Sequence, residues 1–93
     1  MDRDAEPVDS DVIRLLTHEN PKSRKSRLRF DCYRDRMTFK EYREAVRQRL
    51  GEVEARKCKG DLKWDTDPKR RFICIERDGK PLDLSRPASL RHP

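Results

Sequence analysis

Apolar positions along this chain fall into separate groups, each with its own spacing. The first is Val12, Ile13, Leu15 and Leu16, ended by Asn20-Pro21. Its β-branched pair and short length suit a strand, while Ser10 as a cap with Val12, Ile13 and Leu16 on one face suits a helix, so both readings stay open. Pro21 disfavours helical geometry at Asn20 and ends the element either way. Lys22 to Arg27 follows, four basic residues in six with two serines, and reads as an exposed loop feeding a helix. Ser26 is the expected N-cap of that helix, after which Leu28 and Cys32 lie at i, i+4 and Phe30 and Tyr33 at i, i+3.

The sharpest local signal is Met37-Thr38-Phe39-Lys40-Glu41-Tyr42. Thr38 stands at an N-cap with Glu41 three residues on, where each side chain can satisfy the other's backbone donor, and Met37 and Tyr42 occupy the staple positions. A helix therefore starts here, and Phe39, Tyr42, Val46, Leu50 and Val53 keep one face inward. Gly51 interrupts that face at a cost of about 1 kcal/mol relative to alanine, so the helix can break there and restart toward Cys58, with Gly60 closing it. Beyond Gly60 the period changes: Leu62 and Trp64 alternate with charged residues, Asp67-Pro68-Lys69-Arg70 supplies a turn, and Phe72 to Ile75 is an apolar run of strand length. This predicts a β-hairpin with a basic tip. Asp78-Gly79 offers a second tight turn that returns Pro81 to Leu84 as a short edge strand, where proline is tolerated.

The pattern predicts an α+β fold of two or three helices plus a C-terminal β-hairpin or three-stranded meander, winged-helix-like, with the hairpin projecting as the wing. Residues 1–10 read as a flexible acidic tail, 11–84 as a single basic domain, and 85–93, with Pro87, Pro93 and little apolar content, as a flexible C-terminal tail. No internal repeat is visible.

Composition sharpens the picture through charge. Of 93 residues, 45% are charged and 32% hydrophobic, with 24 Lys and Arg against 18 Asp and Glu. Residues 1–11 hold five carboxylates and one arginine, a net −4, which leaves 23 basic and 13 acidic groups, +10, in residues 12–93. A body this basic favours polyanionic partners and speeds their encounter. The acidic tail is expected either to be solvated or to fold back over the body and compete for such a partner. No stretch approaches the roughly 18 apolar residues of a membrane span, and the first ten residues lack the basic and apolar regions of a secretory signal. No membrane partner and a cytoplasmic location are the resulting expectations.

Cys32, Cys58 and Cys74 are odd in number and widely spaced, with only His18 and His92 for company. Reduced thiols serving as small apolar residues fit better than a disulfide framework or a zinc site, so neither metal nor cofactor is expected. There is no glycine-rich phosphate loop and no nucleophile near His18 in a recognisable context. Carboxylate pairs such as Glu41 with Glu44 or Asp65 with Asp67 could converge in space as acid-base candidates, but a non-enzymatic protein is expected.

Two cationic stretches carry the functional expectation. Lys22, Arg24, Lys25, Arg27 and Arg29 would contact phosphate from the loop and helix, aided by serine hydroxyls and helix amides, and Lys69, Arg70 and Arg71 from the hairpin tip. Trp64, Phe72 and Tyr33 would add aromatic surface; of these Trp64, the sole tryptophan, is expected as the main core anchor, with base stacking as the alternative. The expected function is thus a small nucleic-acid-binding protein; the alternative is an adaptor or inhibitor whose basic face meets an acidic protein surface. Oligomeric state is left open.

The string Asn20-Pro21-Lys22, a serine, Arg29-Phe30 with Tyr33, Met37-Thr38 with Glu41-Tyr42, Asp61-Leu62, Trp64-Asp65 and Phe72-Ile73 resembles a group of small bacterial and phage-associated proteins over about residues 12 to 75. The resemblance implies no activity. It carries two departures: the pattern has glycine before Met-Thr and before Phe-Ile, where this chain has Arg36 and Arg71, and Arg47 to Lys59 looks like an extension. Arginine adopts positive φ less cheaply than glycine, so both turns are expected to differ in geometry.

Overall fold

Residues 6–82 are described by a computed structural model; the C-terminal tail at 85–93 and the end of the expected edge strand lie outside them. The chain runs β1 (Val12–Leu15), α1 (Arg24–Phe30), α2 (Phe39–Leu50), α3 (Glu52–Ala55), α4 (Cys58–Asp65), β2 (Ile73–Arg77) and β3 (Lys80–Leu82). The fold is α+β, with an antiparallel sheet in the order β1-β2-β3. Ile13 faces Ile75 and Leu15 faces Ile73 across the first pair, and Ile75 faces Leu82 across the second. Alternation sends Ile13, Ile73 and Ile75 into the core, where the helices add Phe30, Tyr33, Phe39, Tyr42, Val46, Cys58 and Leu62.

The open first element is a strand. Its outer edge is closed by residues 36–38, with the Ile13 amide donating to the Met37 carbonyl and the Arg36 amide to that of Ile13, each at 2.7 Å. The capping box that starts α2 is complete: the Glu41 amide donates to the Thr38 hydroxyl and the Thr38 amide to the Glu41 carboxylate. Phe39, Tyr42 and Val46 are buried, and Gly51, at φ 96°, ends the helix as its spacing predicts. Val53, 66% exposed, falls off the inward face after the break.

Four expectations need correction. Helix α1 begins at Arg24 with Ser23 as cap, three residues earlier than Ser26 implies, and the Ser26 hydroxyl donates to the Ser23 carbonyl within the first turn. Gly60 does not close a helix but sits inside α4. Leu62 and Trp64 belong to that helix and not to a strand, so Lys69 to Arg71 form the α4–β2 connection and not a hairpin tip. The hairpin is β2–β3, turned by Asp78-Gly79 with φ of 55° and 77°, the two positive values a tight two-residue turn requires. It is the edge of the sheet, with Pro81 on its outer strand, and its turn carries no arginine cluster.

Arg36 and Arg71 both adopt positive φ, 71° and 50°. The left-handed region costs a residue with a Cβ about 1–2 kcal/mol, so each arginine stands where glycine would be unstrained.

Residues 6–10, within the stretch expected to be a flexible tail, are held against the body. The Glu6 carboxylate takes Lys63 at 2.7 Å and Lys59 at 3.6 Å, Asp9 takes Arg43 at 2.8 Å, and Pro7 is buried. Asp11 is fully buried and accepts two hydrogen bonds from Arg77, at 2.7 and 2.8 Å, and one from the Val8 amide. Burial raises the Asp11 carboxyl, but these donors outweigh it and hold the group below its usual range. Residues 1–5 lie outside the described part.

Candidate functional site

The cationic stretch after Asn20 is shaped by that asparagine. Its side-chain amide donates to the Arg27 carbonyl and to Asp31, both at 2.8 Å, and its oxygen accepts the Lys22 amide at 2.9 Å. The loop so fixed directs Lys22 inward, where its ammonium lies 2.7 Å from Asp65 Oδ1. That contact is short but not aligned as a hydrogen bond, which leaves Oδ1 without a directed donor. The other Asp65 oxygen accepts the Tyr33 hydroxyl at 2.8 Å.

One helical turn earlier, Asp61 receives Arg29 in a two-pronged contact at 2.7 and 2.9 Å and the Tyr42 hydroxyl at 2.8 Å. Arg29 also donates to Glu54 at 2.8 Å, and the Tyr33 and Tyr42 rings stack with centroids 4.2 Å apart. Asp61 and Asp65, at i and i+4, thus turn one face of α4 toward α1 and α2 as a buried ionic lattice. Burial pushes the Asp65 carboxyl above its usual range against the pull of Lys22 and Tyr33. Burial, then the neighbouring acidic and phenolic groups, also raises both tyrosines, so they remain hydrogen-bond donors. The paired carboxylate of Asp61 holds the Arg29 guanidinium firmly as a cation.

The open flank of α4 next to Asp61 carries Trp64. It is 56% exposed and not the core anchor its rarity suggests; that place belongs to Tyr42, with no exposed surface. The Arg70 guanidinium lies 3.5 Å from the Trp64 ring centre. Trp64 also lines a pocket of about 450 Å³ whose other walls are Pro21, Lys22, Ser23 and Ser26, with Arg29 and Asp61 beneath. Phe72 is half-buried with its ring 6.1 Å from that of Phe30, and Tyr33 is buried, so neither supplies open aromatic surface.

The fold therefore brings the two cationic stretches to one helix: Lys22 meets Asp65, and Arg70 meets the adjacent Trp64. Their members divide sharply. Lys22 and Arg29 are committed to buried carboxylates, and Lys25 and Arg70 have looser partners, Glu54 and Asp67, both at 3.8 Å. Arg24, Arg27, Lys69 and Arg71 are exposed and make no ion pair among the described residues. The acid-base candidates are separately engaged: Glu41 in its capping box, Glu44 with Arg47, Asp65 in the lattice, and Asp67 accepting the Lys69 amide.

All three cysteines are free thiols. Burial raises each of them, Cys58 to about 12, with Asp61 adding to the effect there. Among the described residues no cluster of three His, Cys, Asp or Glu side chains is placed to hold a metal ion, and no helix is long and apolar enough to cross a membrane.

Sequence spacing does not reveal the buried lattice, because its partners are 19 to 43 residues apart. The one available signal is the pair Asp61 and Asp65 at helical spacing, opposite in charge to the stretch before them. In comparisons with protein-family models, curated proteins and solved structures, the chain matches none.

Proposed function

We propose that this protein is a small, non-enzymatic nucleic-acid-binding protein that contacts phosphate through Arg24, Lys25 and Arg27 of α1 and Lys69, Arg70 and Arg71 of the α4–β2 connection. The observation that carries this reading is the convergence of the two stretches on adjacent α4 residues, through Lys22–Asp65 and Arg70–Trp64. Cations gathered on one face sum to a field that attracts a polyanion, and charge scattered over the surface does not. Lys22 and Arg29, expected among the contacts, serve instead to hold the helices together, since a guanidinium saturated by two carboxylates has no donor geometry left for phosphate. The reduced, raised thiols fit a cytoplasmic protein.

The test is the salt dependence of binding. If six cations each neutralise one phosphate, affinity for a single-stranded oligonucleotide, followed by anisotropy of an end label, falls about several hundred-fold between 50 and 200 mM salt. No binding at low micromolar protein and low salt, together with capture of one acidic protein, would replace this reading with the adaptor alternative.

A further inference from the structure

We propose that the pocket beside Trp64 receives an unpaired nucleobase, stacked on the indole, so that the polyanion bound here is a single strand and not a duplex. This rests on the nucleic-acid reading above and adds to it the form of the ligand.

The fold does not need this indole for its core. A tryptophan left 56% exposed on the outer side of a helix gains little from burial, and α4 is already secured on its inner side by Asp61, Leu62 and Asp65. The indole is nonetheless held in place. Arg70, 3.5 Å above the ring, fixes its plane and reinforces the positive potential around it. The space it borders, about 450 Å³, is shallow and open to solvent, and pairs an apolar wall of Pro21 and Trp64 with polar groups from Ser23 and Ser26.

The charge around the pocket selects the occupant. Lys22 lines the pocket and Arg70 covers the indole, so a ligand entering here lies beside a cation from each stretch. The arginine and aspartate of the floor are saturated by each other and by Tyr42, so they offer a fixed base and no free acid or base. Ser23 makes no capping hydrogen bond to α1, which leaves its hydroxyl for the edge of a base. An aromatic platform flanked by cations suits stacked bases whose phosphates follow the positive groups, and this mode tolerates many sequences because every base has a π-face. A base inside a duplex has both faces covered by its neighbours and cannot use such a platform.

Because Trp64 is the only tryptophan, its emission reports on this site alone. Titration at low salt with an oligothymidylate of about ten nucleotides, a length within the usual footprint of such sites, is expected to quench it. An abasic strand of equal length and a duplex are expected to leave emission largely unchanged. With an end-labelled strand, Trp64→Ala should weaken binding by about tenfold or more, and Trp64→Phe should restore most of it; circular dichroism of both variants should match the parent. A strand that binds without quenching, or a Trp64→Ala variant that binds as tightly as the parent, overturns the stacking inference and leaves the phosphate reading intact. Duplex binding as strong as strand binding also overturns it. Failure of strand, abasic strand and duplex alike to bind at low salt overturns the phosphate reading itself.

Discussion

The two sides of helix α4 invert the ordinary arrangement of a small domain. Its inner side presents Asp61 and Asp65 to Arg29, Lys22 and two tyrosine hydroxyls, while its outer side presents Trp64. Carboxylates usually face water and tryptophan usually contributes to the core. The inner side is explained by folding: it matches the cationic stretch on α1 charge for charge, so α4 is oriented by ion pairing as much as by Cys58 and Leu62. The outer side has no such explanation in the fold. What distinguishes the two is that every inward charge has a partner, whereas Arg24, Arg27, Lys69 and Arg71, in the stretches that flank α4 in the chain, have no ion pair among the described residues.

The largest effect is expected from breaking the inner side. Arg29→Ala leaves Asp61 and Glu54 buried without their main cation, and removing one partner of a buried pair costs about 3–5 kcal/mol. Arg27→Ala, two residues away and exposed, should change stability by no more than about 0.5 kcal/mol. Urea unfolding of the two variants side by side checks the contrast; equal small losses would mean that the lattice does not position α4.

The buried carboxylates should differ in their response to pH. Asp11 is held below its usual value, so its contribution is present above the unfolded value of about 3.9 and is lost as pH falls through the lower native one. Asp11→Ala should therefore cost about 1.5–3 kcal/mol at neutral pH, with the deficit shrinking on acidification. Asp65 is raised, so the fold favours its protonated form, and that preference is lost as pH climbs through the elevated native value. Asp65→Asn should thus gain relative to the parent between pH 4 and 7, the reverse of the Asp11 trend. Thermal unfolding over pH 3 to 7 distinguishes the two, and parallel trends would contradict the assignment.

A smaller effect separates stability from binding. Arg36→Gly and Arg71→Gly each relieve a left-handed backbone and should stabilise by about 1 kcal/mol. Only Arg71→Gly should also weaken strand binding, because Arg36 lies in the turn between α1 and α2, away from α4.

Much of the frame is legible in the sequence. Thr38 and Glu41 mark the start of α2 because capping is local chemistry, and Gly51, Asp78-Gly79 and Pro81 mark a break, a turn and an edge for the same reason. The site is less legible. Leu62 and Trp64 alternate with charged residues, and alternation reads as a strand unless one knows that Asp61 and Asp65 find cations on a distant helix and make a 3.6-residue period of acids the inward one. Arg29 looks like its neighbours in a basic run, and only the fold separates the arginine that holds the core from those that remain free. Arg36 and Arg71 are not legible in this way: they share positive φ with Arg24 and Asp78, a conformation that arginine's own preferences do not announce.

If two stretches some forty residues apart form one polyanion surface, the salt slope of strand binding depends on both. Replacing Arg24, Lys25 and Arg27 by glutamine should lower the magnitude of the slope by about 2, and Lys69→Gln with Arg71→Gly should lower it by about 1.4, at roughly 0.7 per phosphate contact on a single strand. A slope that responds to one set of substitutions and ignores the other would contradict a shared surface.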